Sequence, residues 1–189
     1  MNIIETKLPG VIIIEPKVFG DSRGFFQETW RQEKYEAIGI HEAFVQDNLS
    51  FSTRGVLRGL HYQKPNTQGK LVSVVHGEVF DVAVDIRVGS PTFGQWEGVV
   101  LSGDNHRQFW VPPGFAHGFC VLSETTYFTY KCTDIYTPHA EGGVMWNDPD
   151  IGIDWPIKDV LLSDKDQVYT KLKDMPIEKL PVWKQGGTK

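Results

Sequence analysis

The chain has 189 residues, 40% of them apolar, with 19 Lys+Arg against 24 Asp+Glu for a net charge of -5. That length suits a single domain spanning residues 1–189, able to bury roughly 70% of its unfolded surface without a disulfide or metal staple. The acidic balance argues against a general nucleic-acid or anionic-membrane surface, so an anionic ligand needs a local basic cluster.

In chain order, Met1–Lys7 has no long apolar core, and no later apolar run approaches a membrane span. The first helix is predicted from Thr29 to Ile38, closed by Gly39. From about Lys70 to Tyr130 the chain breaks into short β-rich runs separated by turn residues. The clearest is Glu78 to Ile86, where Phe80, Val82, Val84 and Ile86 share one face and Glu78, Asp81 and Asp85 interrupt the apolar pattern. Further strands are expected at Glu97–Leu101, Gln108–Val111, Phe115–Leu122 and Thr126–Thr133. A second helix, with an acidic first turn, is expected from Ser163 to about Lys173. Cys120 and Cys132 are able to face each other on neighbouring strands, but two thiols in a domain of this size fit a reducing compartment. The expectation is therefore a soluble, cytoplasmic, all-β protein: an antiparallel jelly roll with short peripheral helices.

Two segments carry the first chemical signal. Arg58-Gly59-Leu60-His61-Tyr62-Gln63 and Pro112-Pro113-Gly114-Phe115-Ala116-His117 resemble the two halves of a cupin site, a double-stranded β-helix. Metal-binding cupins offer a His-x-His pair and a carboxylate from the first half. Here the second histidine of that pair is Gln63, and Lys70 stands seven residues before Gly77, where the pattern places the carboxylate. An ammonium repels the cation it replaces, so the pocket is expected to hold no metal.

The match extends beyond the fold. Phe19-Gly20-Asp21-Ser22-Arg23-Gly24-Phe25-Phe26-Gln27-Glu28, Gln46-Asp47-Asn48, Gly55 to Gln63, Val84-Asp85-Ile86-Arg87 and Tyr130-Lys131-Cys132-Thr133 together resemble the dTDP-4-dehydrorhamnose 3,5-epimerase family, from about Thr6 to Leu180. The resemblance implies a homodimer of jelly rolls that needs no cofactor. It also implies inversion of C3 and C5 in dTDP-4-dehydro-6-deoxy-D-glucose. Both carbons adjoin the C4 ketone, so each inversion is proton removal, an enolate, and proton return on the other face.

Such a reaction asks for a base, an oxyanion stabiliser and an acid. His61 is the candidate base, because an imidazole of ordinary pKa ~6.5 is largely neutral at pH 7. The bland alternative is a core histidine bonded to a backbone carbonyl. General base catalysis supplies roughly 10²–10⁴-fold, too little alone, so the enolate needs a cation. Lys70 fits that need, against the alternative of a solvated loop lysine. Tyr130 is the candidate acid, its phenol protonated at neutral pH; ordinary strand packing is the alternative, and Tyr127 is expected on the opposite face. By resemblance Asp166 orients His61, while Ser163-x-x-Asp166 also reads as a helix capping box. Resemblance further assigns Arg23, Arg58 and Lys165 to the diphosphate and nucleotide, a role that arginine's planar fork suits. Gln46, Asp47, Asn48, Glu28 and Glu141 offer polar groups to the sugar or base. His117 is expected to donate to substrate and Tyr136 to stack on the base.

Rival functions within the fold are a single-centre epimerase or a 3,4-ketoisomerase on a related nucleotide sugar. A non-catalytic carbohydrate-binding jelly roll is the rival from another class, and has no use for a base, cation and phenol in one pocket. A metal-dependent oxygenase has too few ligands.

Overall fold

The computed structural model describes residues 1–184. The elements in order are β1 (Asn2–Glu5), β2 (Ile12–Glu15), β3 (Val18–Asp21), β4 (Gly24–Gln27), α1 (Gln32–Glu36), β5 (Gln46–Thr53), β6 (Leu57–Gln63), β7 (Lys70–His76) and β8 (Glu78–Asp85). They continue as β9 (Trp96–Ser102), β10 (Gln108–Val111), β11 (Phe115–Val121), β12 (Thr125–Cys132), β13 (Glu141–Gly143) and α2 (Asp164–Gln167), with short 3₁₀ turns near the end. Two sheets face each other, a six-stranded one in the order β1-β2-β10-β7-β12-β5 and a five-stranded one in the order β13-β6-β11-β8-β9. Every pairing within them is antiparallel, as a jelly roll requires. β3 and β4 form a separate hairpin.

Both faces of β8 are buried, and for different reasons. Phe80, Val82, Val84 and Ile86 pack outward with Trp155, Leu172 and Leu180 of the C-terminal segment, as the shared face predicts. Val79 and Ala83 point the other way, into the core between the sheets with Phe109, Phe115, Phe119 and Phe128. Asp81 and Asp85 interrupt that inner face. Asp85 is satisfied by Arg87, Ser90 and Thr92 in the turn that follows the strand.

Both helices are shorter than predicted because tertiary hydrogen bonds take the backbone groups they need. The Thr29 carbonyl accepts from Tyr35 Oη and Gln108 Nε2, so α1 starts at Gln32. It ends at Glu36, two residues short of the expected Ile38, and a turn carries the chain to Gly39, whose φ of +92° suits glycine. α2 is a single turn: beyond it the Thr170 carbonyl accepts from Met145 N, and Leu172 N donates to Asp148. The two cysteines do not face each other. Cys120 packs outside the five-stranded sheet and Cys132 lies inside the six-stranded one, both free and buried.

The strands before Lys70 were not anticipated, and β5 explains why. Its polar Gln46, Asn48 and Ser50 point inward to a cavity, while Leu49 and Phe51 point out to solvent. That inverts the usual apolar-in alternation.

Candidate active site

A cavity of about 530 Å³ opens between the sheets at the ends of β5, β6, β7 and β12, within the range of small-molecule sites. His61 reaches it because β6 is irregular. Arg58 pairs with Phe119 and His61 with His117, so two residues of β6 oppose the single Gly118 of β11. This β-bulge shifts the alternation, and Arg58 and His61, three apart, both face the cavity. Two glycines make it feasible: a Cβ at Gly59 would fall 2.6 Å from the Gly118 Cα, and φ at Gly59 is +138°.

His61 Nε2 lies 2.6 Å from Asp166 Oδ1, and Asp166 is only 3% exposed. Burial alone would raise the Asp166 carboxyl, but the His61 hydrogen bond and charge outweigh it and hold the group below the usual carboxylate range. The choice between orienting a histidine and capping a helix is divided between two residues. Ser163 supplies the cap, its Oγ accepting from Asp166 N, while the Asp166 carboxylate turns to His61. With Nε2 donating to Asp166, the other ring nitrogen keeps its lone pair.

A second His–Asp pair stands beside the first. His117, the cross-strand partner of His61, places Nε2 2.9 and 3.1 Å from the two Asp81 oxygens, deep in the core and stacked on Phe128. Burial pushes the Asp81 carboxyl up, against the opposing pull of His117 and Lys70. The sequence held one signal for Asp81: an acid on a strand face otherwise filled by Val79 and Ala83.

On the facing sheet, Tyr130 points into the cavity and its hydroxyl has no hydrogen-bond partner among the described residues. Burial, with Cys132 and Glu141 nearby, pushes the phenol up and keeps it protonated. Tyr127 lies on the outside against Phe51, as strand alternation predicts. Lys70 begins β7 opposite Cys132 and also lines the cavity. Its ammonium makes no salt bridge among the described residues, and removal from water pulls its pKa down, against the attraction of Cys132, Asp81 and Glu141.

Gln63 has a use of its own. Its Nε2 donates to the carbonyls of Asn66 and Ile135 and its Oε1 accepts from Thr137 N, which ties both loops at the cavity mouth. The loop so held presents Tyr136, whose backbone N donates to Gln46 Oε1 and whose hydroxyl donates to Glu141 Oε2. Lys165 reaches the other Glu141 oxygen at 2.5 Å. Those two contacts keep the Glu141 carboxyl low despite partial burial. Gln46 also donates to Asn48, and Arg58 donates to Ser52 Oγ and the Phe51 carbonyl. The Ser50 hydroxyl, missed in the sequence, is buried beside them without a partner among the described residues.

The structure brings His61, Lys70, Tyr130, Asp166, Gln46, Asn48, Arg58, His117, Tyr136, Glu141 and Lys165 to one cavity. Three expected members stand apart in the single chain. Asp47 alternates to the outer face of β5, where it pairs with Lys131. Arg23, at the turn of the β3–β4 hairpin, pairs with Asp21, and Glu28 is held by Lys34 and Arg31. No group of three or more His, Cys, Asp or Glu side chains among the described residues is arranged to hold a metal ion.

A sequence model of the family described as dTDP-4-dehydrorhamnose 3,5-epimerase matches residues 5–174. The dTDP-4-dehydrorhamnose 3,5-epimerase of Shigella flexneri is 60% identical over 168 residues, covering 88% of this chain and 93% of that one. Among solved structures, a Legionella pneumophila 3,5-epimerase in complex with dTDP-4-keto-L-rhamnose is 58% identical, with a TM-score of 0.95 over 97% of this chain and 98% of that one. A 3′-monoepimerase from Streptomyces bikiniensis in complex with dTDP-quinovose is 35% identical, with a TM-score of 0.88 over 94% and 91% of the two chains. Matched over most of its length by both sequence and fold, the chain belongs to the dTDP-4-dehydrorhamnose 3,5-epimerase family.

Proposed function

We propose that the protein epimerises dTDP-4-dehydro-6-deoxy-D-glucose at C3 and C5, giving dTDP-4-dehydro-L-rhamnose. One observation carries the reading: His61, with Asp166 behind it, and the phenol of Tyr130 project from facing sheets into one cavity. A base and an acid on opposite walls are what inversion at carbon requires. The lone pair of His61 takes the proton beside the C4 ketone, the C–H electrons form the new C=C, and the carbonyl π electrons move onto the ketone oxygen. Asp166 stabilises the imidazolium. The Lys70 ammonium meets the enolate oxygen, a contribution of roughly 3–4 kcal/mol for one positioned donor. Tyr130 then protonates the carbon from the other face, and the enolate electrons return to it as the ketone re-forms.

Arg58 and Lys165 hold the diphosphate, and Tyr136 stacks on the base, with Gln46, Asn48, Glu141 and His117 on the remaining polar groups. No cofactor or metal is needed in this scheme, since Gln63 is committed to the loops and Lys70 brings positive charge to the position of a ligand. A homodimer accounts for two further features. The hairpin exposes Phe19, Phe25 and Phe26, and the nearby outer sheet exposes Leu49, Phe51, Val75 and Tyr127, an apolar area suited to a second copy. Arg23 and Glu28, displaced from their own cavity, reach substrate in this reading across that contact. The two free thiols fit a cytoplasmic protein, and no helix among the described residues is long and apolar enough to cross a membrane.

The test is turnover of the 4-keto substrate in deuterated water containing a chelator, with deuterium read at each carbon by NMR. Label at C3 and C5 is expected. Label at C3 alone would make this a single-centre enzyme like the Streptomyces relative, and label at neither carbon would refute the epimerase reading.

A further inference from the structure

Tyr169 lies just beyond α2 and does not line the cavity, yet its ring meets the His61 imidazole edge to face, with centroids 5.9 Å apart and planes inclined by 74°. That is a favoured aromatic geometry. Gly143 makes room for it. Gly143 is the cross-strand partner of His61 on β13, so a side chain there would stand beside the imidazole. The place is taken by Tyr169: a Cβ on Gly143 would fall 2.2, 2.3 and 2.5 Å from three Tyr169 ring carbons. An aromatic ring thus covers a strand glycine and buttresses the histidine opposite it.

One short segment controls His61 from two sides. Asp166 accepts from Nε2, and three residues later Tyr169 closes on the ring. The segment is anchored just after Tyr169, where the Thr170 carbonyl accepts from Met145 N at 2.9 Å. The Tyr169 hydroxyl has no hydrogen-bond partner among the described residues, so the contact is made by the ring. We propose that Tyr169 is a positioning residue, fixing the imidazole plane so that Nε2 stays on Asp166 and the basic nitrogen stays on the cavity. The inference rests on His61 being the proton acceptor.

The test compares Tyr169→Phe, Tyr169→Leu, Tyr169→Ala and Gly143→Ala in the full-length protein, reading kcat and KM for deuterium exchange and the His61 ring nitrogens by NMR. Tyr169→Phe should behave as wild type. Tyr169→Ala should lose roughly 10–100-fold in kcat, the scale of a misplaced catalytic group, with KM little changed. Its His61 nitrogens should change from one tautomer to an averaged signal. Gly143→Ala should give the same result, because the new methyl expels the ring. Tyr169→Leu fills the volume without a planar edge, so it should share the defect while staying folded. A folded Tyr169→Leu with wild-type kcat, or with lowered kcat and an unchanged His61 tautomer, overturns the proposal. If the wild type incorporates no deuterium, the reading of His61 as base fails instead, while the tautomer measurement still reports the contact.

Discussion

At the scale of single residues, the site depends on ionisable groups held away from their ordinary values. The lowered Asp166 carboxyl is charged throughout the neutral range and keeps His61 in one tautomer. Its contribution to stability is fully present above the ordinary Asp pKa of ~3.9 and is lost as pH falls through the lower folded value. In Asp166→Asn we expect proton exchange to fall by roughly 10²–10⁴ with nucleotide affinity retained. Urea titrations should also show the stability gap between variant and wild type closing below pH ~3.9. Lys70 has the opposite sign. Burial disfavours its charged form, so the ammonium costs stability at neutral pH, a cost relieved only as pH rises toward the ordinary ~10.4. Lys70→Met should therefore keep or raise the thermal midpoint while losing roughly 10²–10³ in exchange rate. An exchange rate equal to wild type would remove Lys70 from the oxyanion role. Tyr130→Phe tests the acid: exchange at substrate carbons should outlast inversion, returning labelled substrate with retained configuration. Doubly inverted product at the wild-type rate would make Tyr130 a packing residue.

At the scale of elements, the cavity is made by departures from regular strands. The bulge in β6 aims Arg58 and His61 at one side, and the inward polar face of β5 supplies Gln46, Asn48 and Ser50. Gln63 closes β6 by tying two loops together through three hydrogen bonds. At about 1 kcal/mol net for each bond, Gln63→Ala should cost roughly 3 kcal/mol of stability. Because the 135–137 loop carries Tyr136, nucleotide binding should weaken as well. Calorimetric unfolding and titration with dTDP check the two effects. A variant with unchanged dTDP affinity would show that the loop does not depend on Gln63.

At the scale of the whole molecule, the six-stranded sheet is covered on only part of its outer face. Around α1, Tyr35, Ile40 and Trp110 close it. Farther along, Leu49 at 65% and Val75 at 64% exposure stand open beside Phe25 and Phe26 of the hairpin. Substituting Leu49→Asp together with Val75→Asp should leave the fold intact, since neither side chain is buried, and convert a dimer to a monomer in sedimentation experiments. If the wild type is already monomeric at micromolar concentration, this face has no such role.

How much of this was legible in the chain followed from how local each determinant is. β8 to β12 showed in the sequence because β-rich runs bounded by turn residues are local signals, and the four residues assigned to one face of β8 do share it. His61, Lys70, Tyr130 and His117 stood out because their local segments resemble a known pattern. Asp81 did not, since an acid in a strand has meaning only once β11 lays His117 against it. Asp47 was grouped with Gln46 and Asn48 although alternation sends it outward, where it pairs with Lys131. The lengths of both helices depended on distant partners, Gln108 for one and Met145 with Asp148 for the other. The sequence by itself determined the antiparallel β class and the chemical inventory, which short-range pattern and residue type encode. Only the tertiary structure decided which groups meet, because a bulge and cross-sheet packing bring together residues as far apart as His61 and Asp166.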